Sequence, residues 1–267
     1  MNKKYYFILI LVLLIFGCKK NEIEDISECN CFIETALDTY KYPIRPGSEE
    51  WNNFTSGAQM AEATQIPFSV LDSMSTMGVF ESCAENPINL DLYILMEPQR
   101  FYDYFKSKFN VCQVLINRDD AGKELLKRYS LMCSECLENN YSSFSGKGGD
   151  VKYSFVSIEL LLAQEDILSK ISKLQSIELG QMLIKNNENN TRNDLSVFFK
   201  LFPVWIASRI MVKYNYPEFM KLKSENEQIS IFHETGVPLL RIGSDDKEEE
   251  MFKKIMQNFK MFLNNES

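Results

Sequence analysis

The chain has 267 residues and a formal net charge of −8 at pH 7, and 45% of its residues are hydrophobic. This length and apolar content are enough to bury a substantial core, in one large domain or two small ones. The acidic balance argues against nucleic acid or anionic lipid as the main partner of the protein.

An export signal is predicted at the N-terminus, over residues 1–17. Two lysines precede an unbroken apolar run of twelve residues, and Gly17 supplies the small residue expected at a cleavage point. Twelve apolar residues are too few for a helix across roughly 30 Å of hydrocarbon, which takes about 20. We therefore expect this segment to be removed rather than kept as a transmembrane anchor.

The end of the apolar run resembles a bacterial lipoprotein signal. Ile15, Phe16 and Gly17 stand where that signal has an aliphatic, a variable and a small residue, and the cysteine that follows is Cys18. The resemblance implies lipid transfer to the Cys18 thiol, cleavage after Gly17 and anchoring in the bacterial outer membrane, on its periplasmic face or at the cell surface. Several acyl chains hold a soluble domain where one chain is marginal. Ordinary secretion and an uncleaved anchor are the alternatives.

Residues 18–46 are predicted to be an acidic linker that holds the domain off the membrane. The segment is polar, lacks periodic apolar residues and closes with Pro43 and Pro46. Two lysines followed by acids after Cys18 also resemble the surface-export signal of some Bacteroidetes lipoproteins. A solvated linker without that role is the alternative.

Short helices broken by caps and prolines are predicted from Ser48 to Asn140. Pro67 precedes one helix, Thr76 is placed to cap the next, and Pro98 begins a third whose aromatic residues recur at three- and four-residue steps. The stretch NVCQVLIN forms another. A longer helix is predicted from DDAGK to Cys136.

A possible internal boundary follows at residues 141–150, where YSSFSGKGGD is rich in glycine and serine. Three further helices are predicted before an apolar helix, LSVFFKLFPVWIASRIMVKYN, which we expect to be central and to be kinked or divided at Pro203. A helix from Tyr216 through Ile231 comes next, then an extended HETGVPLLRIG, and an amphipathic helix ends the chain.

The predicted fold class is all-α. Helices of roughly 10 to 20 residues with short connections favour a multi-helix antiparallel array over residues 47–267, of which an irregular superhelix of the solenoid type is one form. The sequence shows no repeat of fixed period, and a compact irregular helical domain is the alternative.

Two segments of the chain resemble a group of uncharacterised exported proteins and lipoproteins from Bacteroidetes. One segment of that group reads QIP…MST…C…P and the other FN…R.D, and an extended piece near the C-terminus matches less well. The resemblance implies fold and origin but carries no activity, substrate or catalytic residue. The matching residues are Gln65, Ile66, Pro67, Met74, Ser75, Thr76, Cys83, Pro87, Phe109, Asn110, Leu115, Arg118, Asp119 and Tyr129.

Six cysteines remain once Cys18 is assigned to the lipid, and an even number in an exported chain permits disulfides. They are Cys29, Cys31, Cys83, Cys112, Cys133 and Cys136. Disulfides between the N-terminal CxC and the CSEC motif are favoured over a zinc site built from the same four residues. They are also favoured over thioredoxin-like chemistry, because CSEC is predicted near a helix end. Cys83 and Cys112 either pair or are simply buried.

Other candidate sites are few. His233 is the only histidine, so any histidine-based catalysis must use it; a surface or helix-capping position is predicted. Ser73, after Asp72, resembles the O-glycosylation acceptor of exported proteins in these bacteria. Neither a metal nor a cofactor is expected.

The sequence does not identify an activity. A lipid-tethered helical module that binds a protein or a glycan is the leading hypothesis. A hydrolase that acts on envelope or dietary polymers through a pair of carboxylates is the second, and a purely structural envelope protein is the third. An enzyme is expected to bring acids with shifted pKa values into one deep pocket.

Overall fold

A computed structural model describes residues 36–88, 96–132, 156–188, 198–238 and 245–266. The regular structure within these ranges is helical, and no β-strand occurs in them. The prediction of an all-α fold is therefore confirmed.

The helices follow the chain in the order α1 (Glu49–Asn52), α2 (Gly57–Ala63), α3 (Phe68–Leu71), α4 (Thr76–Ala84), α5 (Pro98–Lys108), α6 (Asn110–Asn117), α7 (Ala121–Ser130), α8 (156–162), α9 (Glu165–Leu168), α10 (Lys173–Glu188), α11 (Phe198–Lys213), α12 (Pro217–Glu225), α13 (Glu227–Thr235) and α14 (Asp245–Glu266).

Helix α4 is the centre of the first half, where it packs against α6 and α7. Its N-cap is Ser75, whose Oγ accepts a hydrogen bond from the N–H of Gly78 at 3.0 Å. The sequence places the cap one residue later, at Thr76, which is instead the first helical residue. Both side chains are able to cap a helix, but the hydroxyl of Thr76 donates to Asp120.

Helix α11 is the centre of the second half and contacts α10, α12, α13 and α14. It is apolar on all sides, which is typical of a helix surrounded by other helices. It also continues across Pro203, so it is not divided there, and the kink that was the other predicted outcome stays a prediction. Its buried residues include Leu201, Phe202, Val204, Trp205, Ile206, Ala207, Ile210 and Met211.

Three predicted helix ends differ from the structure. Helix α13 runs through Thr235, whereas the helix was predicted to end at Ile231 and the chain to be extended from His233. The helix predicted from Tyr216 through Ile231 is interrupted at Asn226, which leaves helical backbone angles and caps α13 by accepting a hydrogen bond from the N–H of Ile229. Helix α7 ends at Ser130, so it does not extend to Cys136 as predicted. The residues after 132, including both cysteines of CSEC, lie outside the described residues.

A single hydrophobic cluster runs from Tyr42 to Leu263 and joins both halves of the chain. Contacts of α13 with α5 and of α10 with α7 link segments that are far apart in sequence. In a solenoid each repeat contacts only its neighbours, so these contacts favour the compact irregular alternative. The predicted boundary at residues 141–150 lies outside the described residues.

The described helices include none that combines the length and the apolar character needed to cross a membrane.

Candidate functional site

The two segments that carry the Bacteroidetes resemblance are joined by amide hydrogen bonds. The side chain of Asn110 accepts from the N–H of Ile66 at 3.1 Å and donates to the carbonyl of Ile66 at 2.6 Å. In return, the Gln65 amide accepts from the N–H of Asn110 at 3.1 Å and donates to the carbonyl of Lys108 at 3.0 Å. These bonds fix the start of α6 to the turn before α3.

A second set of polar bonds connects the start of α4 to the turn before α7. The hydroxyl of Thr76 donates to the carboxylate of Asp120 at 2.7 Å, and Arg118 donates to the carbonyl of Leu71 at 2.8 Å. The resemblance selects the neighbouring Asp119 instead, and both aspartates are exposed. In both sets the motif residues bond to one another and to the backbone, which is a structural use of their polar groups.

Residues 36–45, which fall within the predicted linker, lie along one face of α4 and are called the N-terminal strap. Glu81 accepts from the N–H of Ala36 at 2.7 Å and from the hydroxyl of Thr39 at 3.0 Å. The hydroxyl of Ser82 accepts from the N–H of Tyr40 at 2.8 Å, and the hydroxyl of Tyr42 donates to the carbonyl of Ser82.

Asp38 anchors the strap at the N-terminus of α4. Its carboxylate accepts from the N–H and the hydroxyl of Ser75, and these bonds to Ser75 lower the pKa of Asp38. A side chain at Gly78 would collide with the Asp38 carboxylate, so the close approach requires a residue without Cβ. The strap is therefore part of the folded domain.

Glu81 also forms a buried ion pair with Arg128 of α7, with 3.2 Å between Oε1 and Nη2. Burial lowers the pKa of Arg128, and the charge of Glu81 opposes that shift. One carboxylate thus connects the strap, α4 and α7. Nothing in the spacing of the sequence distinguishes Glu81 from the many exposed acids.

Glu159 of α8 is the most strongly perturbed acid among the described residues. It is 4% exposed, and burial raises its pKa to about 8. The hydroxyl of Tyr129 donates to it at 2.7 Å, and the amide of Asn186 donates to that hydroxyl at 3.1 Å. The burial of Glu159 was not predicted, although the run SIELLLA contains a signal for it. A single acid flanked by apolar residues on a helix is typical of a buried position.

His233 is buried between α11 and α13, so the predicted surface position is wrong. Its ring Nδ1 lies 3.2 Å from the hydroxyl of Ser208, and that hydroxyl donates to the carbonyl of Trp205 at 2.7 Å. Since the hydroxyl proton is already used, Nδ1–H is the donor to Ser208. His233 then has no lone pair directed at Ser208, which a general base in a serine dyad requires.

Burial, together with the nearby cations of Arg209 and Lys223, lowers the pKa of His233 to about 3. The imidazole is therefore neutral. Glu234 lies 4.0 Å from Nε2, and its own pKa is lowered by a hydrogen bond from Lys223. The group of Ser208, His233 and Glu234 contains the residue types of a triad without the bonding that a triad needs.

A small cavity lies between α4, α5, α6 and α8. Its volume is about 20 Å³, which is room for about one water molecule and too little for a polymer or a drug-sized ligand. Ser157 is buried beside it, and its hydroxyl has no hydrogen-bond partner among the residues that the structure describes. The lining residues are Phe80, Cys83, Ala84, Phe101, Tyr102, Phe105, Cys112, Ser157, Leu160 and Leu161.

Ser73 is exposed in the turn after α3, and its hydroxyl donates to the carbonyl of Val70 at 2.8 Å. Its accessibility is compatible with O-glycosylation, which stays a prediction. Cys18, Cys29, Cys31, Cys133 and Cys136 lie outside the described residues, and so do the pairings predicted for them. Within the described ranges, no group of three or more His, Cys, Asp or Glu side chains is placed to hold a metal ion.

Comparisons with known proteins gave no relative. No protein-family model, curated protein or solved structure matches the chain at a significant level. What the protein does is therefore inferred from its own residues.

Proposed function

We propose that the protein is a lipid-anchored module of the bacterial outer membrane, from the Bacteroidetes group that its two motif segments resemble, and that it binds an envelope protein or glycan. The observation that supports the anchoring is the sequence around Cys18, where an apolar run typical of an export signal ends at a small residue and a polar segment follows. The strap supports the proposal, because it provides a fixed point at which the linker enters the folded domain.

Binding is favoured over catalysis by the way the described polar groups are used. The motif residues bond across α3, α4 and α6, Glu81 is paired with Arg128, and Glu159 is enclosed by Tyr129 and Asn186. A hydrolase of the carboxylate type needs two acids about 5–9 Å apart on either side of an accessible bond. The described cavity is too small for such a substrate.

Glu159 is the one observation that favours the hydrolase alternative. A carboxyl whose pKa is raised to about 8 is protonated at neutral pH, as a general acid must be. Its described hydrogen-bond partner, however, is the phenol of Tyr129. The alternative requires that polymer cleavage depend on Glu159.

Replacing Cys18 tests the anchor. We expect Cys18→Ala to abolish incorporation of labelled palmitate and to move the protein from the membrane pellet to the soluble fraction. Cys83→Ala, which changes a cysteine in the core, is the matched control and should keep both label and pellet. A Cys18→Ala protein that still pellets and still takes up palmitate would contradict lipid attachment at this residue.

Purified full-length protein in detergent tests binding against hydrolysis. We expect it to sediment saturably with isolated cell envelopes, and Glu159→Gln to sediment equally well, with no release of reducing sugars or amino groups from peptidoglycan or polysaccharide. Release of either product by the wild type, lost in Glu159→Gln, would support the hydrolase and contradict the binding module. Absence of saturable sedimentation of the wild-type protein would also contradict the binding module.

A further inference from the structure

Cys83 and Cys112 face each other across the contact between α4 and α6. The two helices pack directly against one another, and the two residues are 5% and 0% exposed. Both side chains line the same small cavity, together with aromatic rings of α4 and α5. They are the two cysteines that the described core contains.

The two thiols are in direct contact. A hydrogen bond between Cys83 and Cys112, together with burial, raises the pKa of the Cys83 thiol well above its usual range. The Cys83 thiol is therefore protonated in the folded protein. A disulfide needs a sulfur–sulfur bond of about 2 Å, so the sulfurs have to move closer than hydrogen-bond contact, and the adjacent cavity gives the side chains room to do so.

We propose that Cys83 and Cys112 form an intramolecular disulfide that joins α4 to α6 in the exported protein. The oxidant is a disulfide of another molecule, either an exported thiol oxidase or an oxidised low-molecular-weight thiol. One cysteine thiolate attacks this disulfide and releases the first thiol, and the second thiolate attacks the mixed disulfide and releases the other. Two cysteine protons are lost and two thiols of the oxidant are formed, so the electrons balance.

The exchange takes place during folding, before α4 and α6 close. A thiolate is the attacking species, and in the folded protein burial both hinders access and suppresses the thiolate. The same burial protects the finished bond from reductants. A native disulfide that resists reductant until the chain is unfolded is therefore expected. The inference rests on the proposed export, because disulfides persist in oxidising compartments.

Peptide mapping of full-length protein from membranes tests the bond. Cells are quenched with an alkylating reagent, and the unreduced protein is digested with trypsin. Residues 109–118, FNVCQVLINR, carry Cys112 on a peptide separate from those of the other cysteines. We expect this peptide to be joined to residues 42–100, which contain Cys83. Alkylated Cys112, or Cys112 joined to Cys133 or Cys136, would overturn the proposal.

A refolding experiment distinguishes two reasons for failure: the two cysteines do not pair, or the protein is not in an oxidising compartment. Full-length protein is reduced and unfolded in detergent, then refolded with oxidised glutathione or with reductant alone. We expect the oxidised sample to regain the 83–112 bond. The difference in melting temperature between the two buffers should be roughly 10 °C larger for the wild type than for Cys112→Ala. If the refolded protein does not form the 83–112 bond, the proposed pairing is overturned. If the bond forms on refolding but the two thiols are alkylated in cells, the proposed export is overturned.

Discussion

Glu159 and His233 are both buried ionisable side chains, yet burial shifts their pKa values in opposite directions. In each case burial disfavours the charged form, which for a carboxyl means a higher pKa and for an imidazole a lower one. Both groups are therefore neutral in the fold near pH 7. Each affects stability over the pH range between its ordinary and its shifted pKa.

Glu159 is expected to make the fold less stable as the pH rises to 8. Its unfolded pKa is near 4.5 and its folded pKa is about 8, so its contribution is complete below pH 4.5 and is lost through pH 8. Urea unfolding of the wild type should show a loss of roughly 2 kcal/mol between pH 6.5 and 8.0. Glu159→Gln should show almost none.

Glu178→Gln is the matched control, because it makes the same change at an exposed position of α10. It should keep the wild-type loss between pH 6.5 and 8.0. An equal loss in Glu159→Gln would show that the carboxyl of Glu159 is not the group responsible.

At the scale of elements, the strap and α4 show why two similar acids, one within α4 and one at its C-cap, contribute differently to stability. Glu81 is buried and paired with Arg128, whereas Glu85, one turn later, pairs at 3.4 and 3.8 Å with Arg45 and Lys41, which are largely exposed. Removing one partner of a buried pair leaves an uncompensated charge. Exposed pairs contribute little because water screens them.

Glu81→Ala is therefore expected to destabilise the protein by about 3–5 kcal/mol, and Glu85→Ala by less than about 1 kcal/mol. Glu81 lies within α4 and Glu85 is its C-cap residue, so the comparison matches the side chain that is removed but not its position in the helix. Urea unfolding at pH 7 measures both. Equal losses would contradict the role of Glu81 as the buried link between the strap, α4 and α7.

Helix positions were largely predictable from sequence, but some helix ends were not. Pro98 begins a helix as predicted, and Pro217 begins one a residue after the predicted start at Tyr216, because proline has no N–H to lose at the first helical position. The break at Asn226 lies in the polar run KSENEQ, which contains neither glycine nor proline, so only the packing of α13 reveals it. The strap was unpredictable for a similar reason: its bonds depend on groups 37 to 45 residues away.

The polar interior was the least predictable part of the candidate site. Hydrophobic periodicity identifies the faces of helices that are buried, but it does not say which polar groups meet there. Asp120 and Glu81 are ordinary acids in the sequence, and their partners Thr76 and Arg128 come from other helices. The Tyr129–Glu159 bond likewise joins α7 to α8 through the core.

For the molecule as a whole, the two buried groups predict a plateau in stability. Between about pH 4.5 and 6.5, Glu159 stabilises the fold as the pH falls. His233 destabilises the fold over the same range, because the unfolded histidine, with a pKa near 6.5, takes up a proton that the folded one does not. Each effect is up to about 1.4 kcal/mol per pH unit, so they cancel in this range.

His233→Asn, which keeps a side-chain donor near Ser208, should remove the plateau. Its free energy of unfolding is expected to rise as the pH falls from 6.5 to 4.5, whereas that of Glu159→Gln should fall and that of the wild type should stay nearly constant. Chemical denaturation at several pH values measures all three. A flat profile in His233→Asn would contradict the neutral, low-pKa histidine.

The strap also determines how mechanical load enters the protein. Tension on the chain before residue 36 first reaches the bond between the N–H of Ala36 and Glu81, and from Glu81 it passes to Arg128 in the interior. The strap runs in the same direction as α4, from Asp38 at Ser75 to Arg45 at Glu85. Its attachments are therefore loaded one after another, and the domain resists pulling at a buried ion pair rather than at a surface loop.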